Sequence, residues 1–207
     1  PMTKTPFTAS YSEGLLSDKD DDKGSVVYGT KELWYMHSIE TRTHVAEFYT
    51  EDREDGLGVT GDDGIIGGVK QKLLRKIVLY SKADKKNGIS TPIKTVYFDY
   101  DYILCPNTPN SNGISKDGTI NGGKLTLTKI WFTYGDSKKG TLNPYIFNYP
   151  HKDAELNPAY SAKSYDRWGN YKKEKNTTDL NAEFPYTPQN KADADKYASV
   201  YNLTSIQ

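Results

Sequence analysis

The chain has 207 residues, with 27 Lys+Arg against 27 Asp+Glu and a single cysteine, Cys105. That length suffices for a real core, while the balanced charge lacks the basic excess and stripe of a nucleic-acid binder. One cysteine excludes an internal disulfide and a cysteine metal cluster.

No apolar run reaches membrane-spanning length. The 17 tyrosines and a mean hydropathy of -0.77 favour a β-rich architecture carrying long polar loops. Pro1-Met2-Thr3-Lys4 leads into polar sequence, so no signal peptide is read here. Pro1 before Met2 looks like the remnant of a removed tag, which leaves localisation open.

Residues 1–32 form an N-terminal extension with an acidic loop over 17–24. Asp18, Asp20, Asp21 and Asp22 offer oxygen ligands for Ca²⁺. The EF-hand spacing is missing and Lys19 and Lys23 oppose a cation, so the loop reads as solvated.

Residues 33–149 carry a weak internal repeat. One copy joins 73–80 to 93–100, and another joins 125–134 to 145–149. Each has Lys-Ile inside its first strand, a glycine turn, a proline (Pro92 or Pro144) and a Phe-x-Tyr ending. A degenerate copy spans 33–41 and 43–49. Each copy reads as a β-hairpin that needs neighbours to cover its apolar face.

In 95–100, Val96, Phe98 and Tyr100 alternate with Thr95, Tyr97 and Asp99; in 45–49, Phe48 breaks the period of two. Gly88 and Gly140 are expected to supply the positive φ of the hairpin turns. Between the copies, residues 52–68 and 106–123 read as surface loops rich in Gly, Asp, Asn and Ser. Asp62-Asp63-Gly64 is a weak calcium option without a period.

Residues 150–187 look irregular, aromatic and proline-rich. Thr187-Pro188 resembles a cap followed by a first-turn proline. With Ala192, Ala194 and Ala198 it predicts one short helix over 188–199, packing Tyr197 and Tyr201 on the sheet. Leu203-x-x-Ile206 then opens a fourth copy. A strand with no return predicts further chain beyond Gln207, unless it is an edge strand paired with an earlier one.

The expected fold is therefore all-β: antiparallel hairpin repeats in a large twisted sheet or sandwich, with long loops and that one helix.

Leu-x-x-Ile, a glycine turn and Phe-x-Tyr resemble the YD-repeat (Rhs-type) proteins and the β-rich parts of bacterial toxin complexes. Tyr100-Asp101-Tyr102 with Cys105, Lys124-Leu125-Thr126-Leu127, and Tyr165-Asp166-Arg167-Trp168-Gly169-Asn170-Tyr171 resemble very large exported or surface proteins of Bacteroidetes with Rhs-like stretches. The likeness runs over 33–207. It implies hairpins wound into a large sheet or shell, an extracellular or cell-surface location, and no catalytic residues in this segment. The tightly spaced Gly-x-x-x-x-Arg-Tyr unit of true YD repeats is absent, which counts against a closed shell.

The candidate binding residues are Tyr165, Asp166, Arg167, Trp168 and Tyr171, whose rings can stack on sugars while their polar groups bond hydroxyls. A Trp before a Gly more often plugs a core beneath a loop. His37 and His44, on successive strands, face each other only if the register allows; with a carboxylate they would suit zinc. Glu40, Glu47, Asp99 and Asp101 lie on or beside strands, but a glycosidase needs two carboxylates at a set separation. No nucleophile or phosphate-loop motif is present.

These residues point to a non-catalytic scaffold, adhesion or shell module without cofactor or metal. Its partners would be the rest of the parent chain, or a protein or glycan at the cell surface. The alternatives are a carbohydrate-binding module using Trp131 or Trp168, and a piece of a glycoside hydrolase.

Overall fold

Seven strands make up one antiparallel sheet, and each is hydrogen-bonded to its neighbours in the sequence. The structure is a computed structural model and describes residues 30–58, 67, 69–109, 111–118, 122–161, 171 and 200–207. The strands are β1 (Ser38–Glu40), β2 (His44–Asp52), β3 (Lys72–Ser81), β4 (Lys94–Leu104), β5 (Lys124–Thr133), β6 (Tyr145–Asn148) and β7 (Ser205–Ile206). The fold is all-β. Among the described residues no helix is long and apolar enough to cross a membrane. The helix expected over 188–199 lies outside the described residues.

The two best sequence copies fold as consecutive hairpins, β3–β4 and β5–β6, joined through the β4–β5 pairing. The degenerate copy forms β1–β2. Its turn is closed by the Thr41 N–H donating to the His44 carbonyl at 2.9 Å and the His44 N–H donating to Thr41 Oγ1 at 3.0 Å. Ser205–Ile206 finds its partner in β6, with Phe147 opposite Ile206. The edge-strand expectation therefore describes it.

Two turns differ from expectation. Gly88 has φ +77°, but it follows a five-residue helix, α1 (Lys82–Lys86), rather than a tight turn. Ser81 caps α1 by accepting the Asp84 N–H at 3.3 Å. In the β5–β6 connection the left-handed residue is Gly135 at φ +53°, not Gly140. Tyr134 and Ser137 bridge across that turn, and Lys139–Leu142 adds a 3-10 turn.

Alternation sorts the side chains onto two faces. One face carries Ala46, Phe48, Ile77, Leu79, Val96, Phe98, Ile130 and Phe132, all half-buried. Phe48 thus belongs with Ala46, while Val45 and Tyr49 lie on the opposite face, so the strand alternates regularly and simply carries apolar residues on both faces. The other face carries Val45, Glu47, Tyr49, Lys76, Val78, Tyr80, Thr95, Tyr97, Asp99, Lys129 and Trp131. Buried positions occur on this mixed face: Val45, Val78 and Thr95. Short side chains there lie beneath the long aromatic and charged ones beside them.

Most of the remaining core is built by loops at one end of the sheet. Leu57, Cys105, Asp55, Ser115, Asn157 and Val200 are buried there, together with Ile103 and Leu104 at the end of β4. The described parts of 52–68 and 106–123 therefore lend a few residues to the core, Asp55, Leu57, Gly113, Ser115 and Gly123, while Asp52, Asn107, Asn112, Ile114 and 116–118 are exposed as a surface loop would be. Their glycines allow chain to pass close to chain: a Cβ on Gly113 would strike the Tyr102 ring, and one on Gly123 would strike the Tyr102 backbone.

Candidate functional site

Asp99 is the hub of the mixed face. A bulge between Tyr49 and Thr50 in the β2–β3 register leaves Arg75 unpaired and turns it, with Lys76, toward this face. Arg75 Nη1 lies 3.2 Å from Asp99 Oδ1 and donates to the Phe98 carbonyl at 2.9 Å. Its Nε lies 3.7 Å from Glu51. Lys129 Nζ approaches Asp99 Oδ2 at 3.1 Å, and the Trp131 indole N–H donates to the same oxygen at 3.1 Å. One carboxylate thus gathers two cations and an indole from β3 and β5.

Trp131 stacks on Tyr97, its partner across β4–β5, with ring centroids 3.9 Å apart and planes 8° off parallel. Such a cross-strand aromatic pair contributes about 0.5–1.5 kcal/mol beyond its buried area. Toward β2 the ladder continues with Lys76 Nζ 4.6 Å from the Tyr49 ring centre. The Tyr49 hydroxyl donates to Glu47 at 2.8 Å, which raises the Tyr49 pKa. Lys85 bonds Glu47 and sits over Tyr80. The Lys85 hydrogen bond, then the Tyr49 one, hold the Glu47 carboxyl below its ordinary value.

Four carboxylates weighed for acid–base chemistry have other occupations. Glu40 is bonded by Lys82 at 2.8 Å, Glu47 by Lys85 and Tyr49, and Asp99 by the group just described. Asp101 accepts the backbone N–H groups of Tyr102 at 2.8 Å and Lys116 at 3.0 Å. Each is held by a cation, an aromatic donor or a backbone N–H. His37 and His44 do not meet. His37 accepts from Phe48 N while His44 closes the turn opposite Thr41, several residues along the ladder. Among the described residues no cluster of three His, Cys, Asp or Glu could hold a metal.

Tyr165, Asp166, Arg167 and Trp168 lie outside the described residues, as do the 17–24 acidic loop and Asp62-Asp63-Gly64. Tyr171 is described; it meets Tyr201 edge to face, with centroids 5.7 Å apart. Tyr201 is bonded to the loop after β6: its N–H donates to Leu156 O at 2.9 Å and its hydroxyl to Pro158 O at 2.8 Å.

Two residue groups escaped the sequence reading. At the loop-built end, Asn157 is 4% exposed; it accepts the Cys105 N–H at 2.8 Å and donates to Ile103 O at 2.8 Å and His151 O at 2.9 Å. Asp55 takes a two-pronged Arg53 bond at 2.9 and 2.8 Å and the Leu125 N–H at 3.0 Å. Nothing in the local pattern around Asn157 announces its role. At the opposite extreme, Leu33, Trp34, Tyr35, Met36 and Ile39 are exposed along the β1 edge, Trp34 by 88%. Four consecutive large apolar residues before a strand were the available signal.

No protein-family model, curated protein or solved structure matches the chain.

Proposed function

We propose that this chain is a non-catalytic structural or interaction module within a larger exported repeat protein, serving in scaffolding, adhesion or a shell. The strand order carries this reading: every strand pairs with its neighbours in sequence. A sheet assembled hairpin by hairpin lengthens by adding further hairpins, without rearranging those already placed. The mixed face supports the same reading, since its carboxylates are paired with cations along the ladder and Tyr97 and Trp131 are stacked on each other. The proposed partners are the remainder of the parent chain and a protein or glycan at the cell surface.

The carbohydrate alternative retains one favourable observation, a coplanar Tyr–Trp pair at the sheet surface. In that pair one indole face is taken by Tyr97 and the indole N–H by Asp99, which leaves less of Trp131 for a sugar ring.

Two measurements test the proposal. Protease shaving of intact source cells, read with an antibody to this chain, is expected to release it; retention in the cytosol alone overturns the exported role. A glycan array is expected to give no signal that Trp131→Ala removes. A signal lost in that variant would put sugar binding in place of the scaffold reading.

A further inference from the structure

Among the described residues, the outer side of β1 is an open pairing edge. Thr41 bonds His44, and Phe48 N–H bonds His37 O at 2.8 Å. In an antiparallel ladder these bonded pairs alternate with unbonded ones. Ile39–Ala46 is therefore a bonded pair, while Ser38 and Glu40, opposite Glu47 and Val45, turn their N–H and C=O groups outward. The same alternation carries back to Met36. No other described strand lies on that side.

Beside this edge runs the exposed apolar stretch. Trp34 is 88% and Met36 57% exposed, and Leu33, Tyr35 and Ile39 are exposed with them. The stretch is anchored: Tyr35 Oη accepts the Lys72 N–H at 3.0 Å, fixing it against the end of β3. An unpaired edge flanked by apolar side chains is what β-strand addition uses.

We infer that this edge is an interface with a second copy of the chain, β1 pairing with β1 antiparallel about a two-fold axis at Ser38. The inference rests on the edge geometry alone, not on the proposed function. Three observations favour a second copy over another protein strand.

The first is register. With Ser38 opposite Ser38, each outward Glu40 lies opposite the outward Met36 of the other copy, so every outward-facing residue falls in a bonded pair. Sliding the axis to Glu40 would set two like charges face to face, which is unfavourable. The second is complementarity: the same register brings Arg42, in the β1–β2 turn, toward Trp34 of the second copy, a cation–π arrangement. The third is area. With about 200 Å² for a large side chain, the five exposed residues present on the order of 550 Å² per copy. A stable interface needs roughly 800 Å² per partner, and the backbone edge with its polar flanks supplies the difference. A two-fold contact closes on itself and leaves no open filament.

The test is a dilution series by light scattering and sedimentation. The wild-type chain is expected to be a dimer at micromolar concentration. Ser38→Pro removes only an outward N–H and is expected to weaken dimerisation at least tenfold with an unchanged circular dichroism spectrum. Met36→Lys, which blunts the edge with charge, gives the same reading if the proline variant unfolds. Ser38→Cys is expected to form a disulfide-linked dimer on mild oxidation, since only residue 38 faces itself; Thr50→Cys is expected to remain unlinked. A monomer throughout, a dimer indifferent to both edge variants, or no cross-link from Ser38→Cys overturns the inference. Capture of a different protein's strand by a monomeric wild-type chain overturns it as well.

Discussion

The middle of the sheet and its loop-built end are stabilised in opposite ways. In the middle, alternation places eight apolar residues on one face, yet all are half-buried. The ion and ring contacts on the other face involve partly exposed groups. At the end of the sheet, polar loops supply the buried residues: Asp55, Ser115 and Asn157 lie beside Leu57 and Cys105. Many weak lateral contacts hold the ladder, and a few demanding ones hold the end. Deep burial makes an unmet hydrogen bond or a misplaced methyl costly, whereas exposed ion pairs contribute little each.

Breaking the end should therefore cost most. Gly123→Ala puts a Cβ against the backbone of Tyr102, which cannot swing aside. We expect about 3 kcal/mol of destabilisation, read as a lower denaturant midpoint. Asn157→Ala leaves the Cys105 N–H and two carbonyls without their side-chain partner. The expected loss is about 2 kcal/mol. Asn157→Asp should not restore it, because a carboxylate cannot donate to Ile103 O and His151 O. If both variants cost no more than a surface substitution of about 0.5 kcal/mol, the end is not the core it resembles.

The same contrast explains how much of the molecule was legible in its sequence. A strand writes itself locally: Lys94–Leu104 and Lys124–Thr133 show β-branched and aromatic residues at a period of two, and their order along the chain proved to be their order in the sheet. The hairpins and the all-β class followed from that pattern. The loop core writes nothing local. Asn157 meets Cys105 across 52 residues and Asp55 meets Leu125 across 70, contacts that depend on the finished sheet. Glycine-rich composition suggested exposure, whereas Gly113 and Gly123 are glycines because Tyr102 lies against them. The candidate site divided similarly. Asp99 and Trp131 were each visible as strand residues, but their joining needed the β4–β5 register and the bulge that releases Arg75. The apolar run at Leu33-Trp34-Tyr35-Met36 is legible in the sequence, but its exposure is not, because the same residues also fit the degenerate strand copy.

A pH titration of stability sharpens the comparison at the smallest scale, because the phenols and the paired glutamates answer at opposite limbs. Burial raises the Tyr102, Tyr149 and Tyr160 pKa values above 10.0, and Tyr100 with them. For a raised folded pKa the unfolded chain loses its proton first, so the stability these phenols contribute is complete below 10 and declines above it. In the sheet Tyr49, raised by its hydrogen bond to Glu47, joins the alkaline limb, while the glutamates carry the opposite sign. Glu40 and Glu47 are held below 4.5 by lysine hydrogen bonds, so their contribution is complete above the ordinary glutamate value and is lost as the pH falls through the folded one. Glu40 is largely solvated and Glu47 is half-buried beside an exposed lysine, and salt screens such pairs. We therefore expect a shallow acid limb that flattens further in salt, and a steeper alkaline limb that salt barely moves. Tyr102→Phe should soften the alkaline limb alone; Lys85→Met should soften the acid limb and, because Glu47 in turn raises the Lys85 pKa, part of the alkaline one. An alkaline limb that responds to salt as strongly as the acid limb would mean that the phenols are no more buried than the ladder, and the contrast between the regions would fail.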